Sequence, residues 1–334
     1  MTSAEHTLTD LGPSPDASPA SGPDPSADGT TAFSRQMALV PDTERPGRYR
    51  VDVDTRWNCP IVPQGGVMAA LAAAAMQAEL DHPDQRLRTL TTVFAAQVPA
   101  GPVAIDVSVL RRGRTMSQAT ATVRAADADH GAAGHTTVAV FGAARGGFEF
   151  TDLTMPDVEP PEACPSFRDP PPPGTMADDF PERPPFEFWD HVEGRPALGN
   201  APWDDYVPSS SDCAFWYRFD EPPMRPDGTL DPLAVIALCD LMPSSVGQRM
   251  GPGAREWRPP SADLTVHLFE DARSEWLLAH LRARRATEGY ASVEVALWDP
   301  TGPALVAHAA QVMFLSFPGG PPTGDDRFPP DQRP

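Results

Sequence analysis

The sequence contains no lysine: all 26 basic residues are arginine, set against 46 acidic residues, for a net charge of −20. We read the missing lysine as the bias of a GC-rich genome, not as a device. So acidic a chain does not suit nucleic acid or an anionic membrane surface, both of which call for excess positive charge. Cysteine is scarce too. Cys59, Cys164, Cys213 and Cys239 are scattered, with no CxxC and no metal-ligand spacing. A reduced, cytoplasmic setting fits that pattern best. No uninterrupted apolar run approaches the ~20 residues that span a bilayer. The opening residues, MTSAEHTLTDLGPSPDASPASG, have neither a basic start nor an apolar core, so they do not read as a secretory signal. A G-x-S-x-G elbow is also missing, which argues against a serine nucleophile on a strand-to-helix turn.

What is present suffices for a real core: 334 residues, 40% of them hydrophobic, enough for one large domain or two ordinary ones. The 42 prolines gather mostly in segments with little to bury. Residues 1–32 are rich in Pro, Ser, Asp and Gly and are expected to be a disordered tail. Residues 153–183 include PDVEPPEACPSFRDPPPPG and are expected to be a proline-rich linker or surface loop. Residues 318–334 are expected to be a flexible tail.

Between these segments the same order of elements occurs twice. A strand at 47–54 (GRYRVDVD) precedes Gly65-Gly66 and an apolar helix, VMAALAAAAMQAEL. Strand-like runs follow at 87–98, 103–110, 117–124 and 135–141. In the second half, a strand at 212–220 precedes a helix that starts at Asp231-Pro232, an N-cap with proline in the first helical position. Strands then follow near 262–269, 276–282, 291–298 and 304–317. The hairpin VSVLRRGRTMSQATATVRAAD resembles LAHLRARRATEGYASVEVALWD, and aligning Leu110 with Leu281 sets Ala69 opposite Asp240. The halves therefore read as structural duplicates, with the helix carboxylate in the second alone.

Asp240 is the polar exception in the apolar run from Leu233 to Met242. A helix apolar on every side belongs in a core, where an ionised carboxylate needs hydrogen-bond partners. Pro243 disfavours helix at Met242, so the helix should kink or end just after Asp240 and leave the carboxylate at a break. Two readings stand: a reactive carboxylate, or a buried one that ties up loose backbone donors.

Helix followed by an antiparallel meander, twice in one chain, resembles a double hotdog: an α+β fold of two antiparallel sheets, each wrapping a central helix. The residues resemble the acyl-CoA thioesterase II type and its thioesterase-like relatives. Trp57 ahead of Gly65-Gly66, the LRRGR turn, PLAVIALCDLMPS, PPSADLTVHLF and ALVAHAAQVMF carry that resemblance. It covers roughly residues 33–317 and implies an N-terminal hotdog at 33–152 and a C-terminal one at 184–317. It also implies a cofactor-independent thioester hydrolase, with no metal, acting on an acyl-CoA or acyl-carrier thioester. Self-association into a homo-oligomer is left open. The family's catalytic aspartate corresponds to Asp240 and its glutamine to Gln311. Its hydroxyl corresponds best to Ser261, where the family more often has threonine, with Thr265 as second choice.

Thioester hydrolysis needs a positioned water, a group to take its proton, and donors for the oxyanion. Asp240 suits the base, with Ser261 and Gln311 fixing the water. Backbone N–H groups at the Gly65-Gly66 helix start suit the carbonyl oxygen, so both glycines are candidate substrate contacts. Each has a plainer reading. Ser261 could be a turn residue, Gly65-Gly66 could serve close packing, and a buried Gln311 could be structural. Arg111, Arg112, Arg114, Arg282, Arg284 and Arg285 read mainly as solvated turn residues, with coenzyme A phosphate binding as the alternative. His267 and His308 read as strand residues and Trp57 as packing. The competing function is a non-catalytic hotdog that binds an acyl chain or a partner. Dehydration or hydration of a thioester needs an Asp/His pair on a helix or its entry loop, and neither helix contains histidine.

Overall fold

The computed structural model describes residues 30–170 and 186–333. The expected N-terminal tail up to residue 29, the linker stretch 171–185 and Pro334 lie outside the described residues.

After a short helix α1 (Ala32–Gln36), the first half runs β1 (Val40–Pro41), β2 (Arg48–Val53), α2 (Gly65–Leu80), β3 (Arg86–Phe94), β4 (Gly101–Arg111), β5 (Met116–Ala125) and β6 (His135–Gly142). The second half runs β7 (Val192–Leu198), β8 (Cys213–Phe219), α3 (Pro232–Cys239), α4 (Ser244–Met250), β9 (Asp263–Leu268), β10 (Leu277–Thr287), β11 (Tyr290–Asp299) and β12 (Ala304–Phe314). The duplication extends to an irregularity. The β4–β5 pairing shifts register between Val109 and Arg111, and the β10–β11 pairing shifts between Ala283 and Arg285.

The twelve strands of the described residues form one antiparallel sheet in the order β1-β2-β4-β5-β6-β3-β9-β12-β11-β10-β8-β7. The two sheets expected from the sequence are thus joined edge to edge. The seam is β3 against β9, with Thr91 opposite Thr265 and their hydroxyl oxygens 3.0 Å apart. Pairing removes two strand edges that would otherwise present unpaired N–H and C=O groups. Strand periodicity reports which face a side chain takes and says nothing of lateral neighbours, so the sequence does not reveal the seam.

α2 lies on β3, β4, β5 and β6, while α3 lies on β9 and β12 and α4 on β8, β10 and β11. Residues 66–73 of α2 and 233–239 of α3 are all buried. Such helices carry no polar stripe because each is enclosed by sheet on one side and by the other helix. Small residues set the helix spacing. A Cβ added to Gly66 would fall 2.9 Å from the Cα of Ala237 and 2.9 Å from the carbonyl oxygen of Ile236. One apolar core runs through both halves.

The chain between the halves does more than connect. Met155, Val158 and Cys164 pack with Trp216, Leu278 and Trp298 in a second, smaller cluster. The indole N–H of Trp216 donates to the carbonyl of Glu159 at 2.9 Å. Trp216, Leu278 and Trp298, from β8, β10 and β11, stand outside the main core and pack against this segment instead. Beyond Phe317 the chain is also tied back: Arg249 forms a two-pronged pair with Asp331, and Arg255 donates to the carbonyls of Gly320 and Pro321.

Candidate active site

α3 starts as its sequence dictates. Asp231 caps it by accepting the N–H of Leu233 at 3.0 Å, with Pro232 in the first turn. It ends at Cys239, and Asp240 is its C-cap, with φ −94° and ψ 27°. The last turn tightens: the N–H of Asp240 reaches the carbonyl of Ala237 at 3.3 Å. Pro243 then stands before α4, which resumes at Ser244. The break therefore leaves the carboxylate at the end of a buried helix and not within its ladder.

That carboxylate is 9% exposed and faces the start of α2. Its Oδ2 accepts the N–H of Gly66 at 2.9 Å, and the N–H of Gly65 also donates to it. Its Oδ1 accepts the hydroxyl of Ser261 at 3.3 Å. The same hydroxyl lies 3.4 Å from Oε1 of Gln311. Gln311 is 2% exposed, and its Nε2 has no partner among the described residues. Ser261 is placed by backbone pairing with β12. It bridges Met313, the N–H of Ala262 reaches the carbonyl of Val312 at 2.8 Å, and Asp263 accepts the N–H of Val312 at 2.7 Å.

The structure thus brings together Asp240, Ser261, Gln311, Gly65 and Gly66, drawn from both halves. Thr265 is turned to a different task, its hydroxyl bonding Thr91 across the seam. Gly66 does not point into open space: its N–H is held by the carboxylate, because a buried anion draws the nearest unpaired donors.

Burial pushes the Asp240 carboxyl up to about 7, and the donors at Gly66, Ser261 and Gly65 oppose that rise. Desolvation dominates because no cation is among the causes; every opposing contribution is a hydrogen bond from a neutral group. A carboxylate that titrates near neutrality can take a proton from water at ordinary pH. The charge on Asp240 also contributes to raising the neighbouring Cys59 thiol to about 12, after burial itself. That thiol is no nucleophile at neutral pH.

Two further residues belong to this neighbourhood and were not singled out from the sequence. Gln64 caps α2, and Phe94, at the end of β3, stands over Gly65: a Cβ there would lie 2.8 Å from its ring and 2.8 Å from Oδ2 of Asp240. The signal for Gln64 was a polar residue directly before a glycine pair; Phe94 offered none. The arginines weighed for phosphate have local partners in three cases. Arg112 donates to the carbonyls of Leu80 and Glu79, Arg282 pairs with Asp212, and Arg284 pairs with Glu294. His267 and His308 face each other across β9 and β12, and Trp57 is buried, stacked on His191 at 4.2 Å.

A cleft of about 320 Å³ lies at the opposite ends of the helices, lined by Leu80, Leu87, Phe141 and Leu233 among others. It includes none of the residues around Asp240, and its arginines are already paired, Arg86 with Asp271 and Arg225 with Asp231. Chemistry therefore points to the carboxylate and not to the open volume.

Residues 53–142 match the model of the acyl-CoA thioesterase N-terminal domain, and residues 161–315 match that of its C-terminal domain. The chain belongs to the acyl-CoA thioesterase family. With that membership it is a thioester hydrolase. Solved structures share the fold. A conserved hot dog fold protein of unknown function from Alicyclobacillus acidocaldarius is 25% identical, with TM-score 0.69, over 86% of this chain and 99% of that one. The acyl-CoA thioesterase II TesB2 of Mycobacterium marinum is 19% identical, with TM-score 0.67, over 87% of this chain and all of that one. A tesB protein of Mycobacterium avium subspecies paratuberculosis is 17% identical, with TM-score 0.64, over 87% and 98% respectively. No curated protein matches the sequence. Among the described residues, no helix is long and apolar enough to cross a membrane, and no cluster of His, Cys, Asp or Glu is arranged to hold a metal ion.

Proposed function

We propose that the chain hydrolyses an acyl-CoA thioester to a free acid and a thiol, using Asp240 as general base toward water. The observation that carries this reading is a buried carboxyl near pH 7, held by two backbone donors and a serine hydroxyl. Water attacks the thioester carbon and gives its proton to Asp240. The tetrahedral adduct then collapses, the carbon–sulfur bond breaks, and the departing thiolate takes a proton from the Asp240 carboxyl.

Ser261 and Gln311 fix the water. The serine hydroxyl has a single proton for two acceptors, Asp240 and Gln311. Half a turn of the Gln311 amide replaces Oε1 with Nε2 at Ser261 and gives a continuous donor chain, Gln311 to Ser261 to Asp240. Gly65 and Gly66 take part twice in this proposal. They hold the carboxylate while it is charged. When Asp240 is protonated, it becomes a weaker acceptor, and these fixed N–H groups can be shared with an oxyanion that forms beside it.

Domain limits of 33–152 and 184–317 remain part of the proposal, as do self-association and an acyl carrier protein as alternative thiol carrier. The test is thiol release across acyl-CoA chain lengths with Asp240→Asn as control. Release by the wild type and not by the variant supports the reading. Binding of acyl-CoA without release would favour the non-catalytic hotdog.

A further inference from the structure

Gln64 is 3% exposed, and both ends of its amide are engaged. Its Oε1 accepts the N–H of Val67 at 2.8 Å, which caps α2. Its Nε2 donates at 2.9 Å to the carbonyl of Ala237, in the last turn of α3. That carbonyl also accepts the N–H of Asp240. One side chain therefore joins the beginning of α2 to the turn that presents the carboxylate. The residues that follow it, Gly65 and Gly66, are the backbone donors to that carboxylate.

Capping alone does not explain a glutamine here. Serine, threonine, aspartate and asparagine are the preferred caps, since a short side chain reaches the nearby N–H with less entropy lost. The extra length is accounted for by the second bond. A carboxylate at this position would face the Ala237 carbonyl with no proton to offer and would add a second negative charge beside Asp240.

We infer that Gln64 is a positioning residue: it clamps the α2 start to the α3 end and thereby keeps the Gly65 and Gly66 N–H groups on Asp240. Its influence on the reaction runs through the protonation of that carboxyl. Without the clamp the two donors drift, the charged form loses its support, and Asp240 ionises at higher pH. The inference rests on Asp240 as base.

The test compares pH profiles of kcat for wild type, Gln64→Ser and Gln64→Leu in acyl-CoA thiol release, with melting curves alongside. Gln64→Ser keeps a cap but cannot reach Ala237; Gln64→Leu loses both bonds. The expected result for Gln64→Ser is a folded protein whose acid limb moves to higher pH. Its rate should fall roughly tenfold at pH 7, with the deficit shrinking by pH 9 as the carboxyl ionises. An unshifted profile, an equal loss at every pH, or failure of Gln64→Ser to fold would each overturn the inference, the last by making Gln64 a stability residue first. Failure of the underlying reading looks different: Asp240→Asn would then hydrolyse at the wild-type rate whatever Gln64 does.

Discussion

The backbone N–H of Gly66 lies 2.9 Å from Oδ2 of Asp240, so the helix start of one half holds the carboxylate of the other. The two residues are 174 positions apart. Their contact links the protonation of the site, its backbone packing and the joining of the halves, and each can be measured.

Asp240→Asn removes the base and keeps the shape. Hydrolysis should drop by about 10²–10⁴-fold, the usual contribution of a general base. Single-turnover thiol release measures it, and a variant as fast as wild type would exclude Asp240.

The same substitution should raise stability, in a pH-dependent way. The carboxyl titrates near 7 when folded and near 4 when unfolded, so between those values the folded state binds more protons. The contribution of this one group to wild-type stability therefore falls as pH rises from about 4 to about 7, by a total on the order of 4 kcal/mol. The Asn variant lacks that loss. Its melting point should match wild type near pH 4 and exceed it at pH 8. His135, which burial lowers to about 4, titrates in both proteins and cancels in the difference. Equal melting points at pH 8 would contradict the raised carboxyl.

Activity should show a single acid limb near pH 7, below which kcat falls about tenfold per pH unit. Ser261→Ala takes one donor from the charged form and should move that limb upward, while Ser261→Thr, which keeps a hydroxyl, should leave it in place. A limb unmoved in Ser261→Ala would separate serine from the carboxyl.

The two glycines should fail differently. At Gly65 an added methyl meets side-chain ends, Oδ2 of Asp240 and the ring of Phe94. Gly65→Ala should therefore melt near wild type but lose activity as the carboxylate is pushed aside. At Gly66 the methyl meets the Cα of Ala237, the carbonyl of Ile236 and the Cβ of Asp240, and the first two cannot move without the helix. Gly66→Ala should lose about 1–3 kcal/mol, as overpacked cores do. Melting curves and rates on both variants decide it.

Much of this was legible in the sequence, for local reasons. Asp231-Pro232 starts α3 and Pro243 stands before α4, because caps and proline act within a turn of themselves. Strand limits follow from alternation and turn residues, and β9, β11 and β6 agree with expectation within a residue at each end. Asp240 and Gln311 stood out as polar groups in apolar stretches, and Ser261 was implied by the resemblance. What stayed hidden is lateral. The β3–β9 seam, Phe94 over Gly65 and the Gln64 bond to Ala237 each join chain positions more than a hundred residues apart or side chains with no distinctive neighbours. The covering role of residues 155–164 was hidden by proline, which signals irregular backbone and says nothing of what that backbone shields.

Gly66, Asp240 and the seam give the duplicated chain the logic of an obligate pair written as one polypeptide. A segment holding residues 186–333 would contain Asp240, Ser261 and Gln311, yet neither the backbone donors nor β3 to close its exposed edge. If the halves were separate molecules, dilution would dismantle the site. Covalent linkage makes their meeting intramolecular and independent of protein concentration. One half then needs no acid of its own in order to complete the other's site.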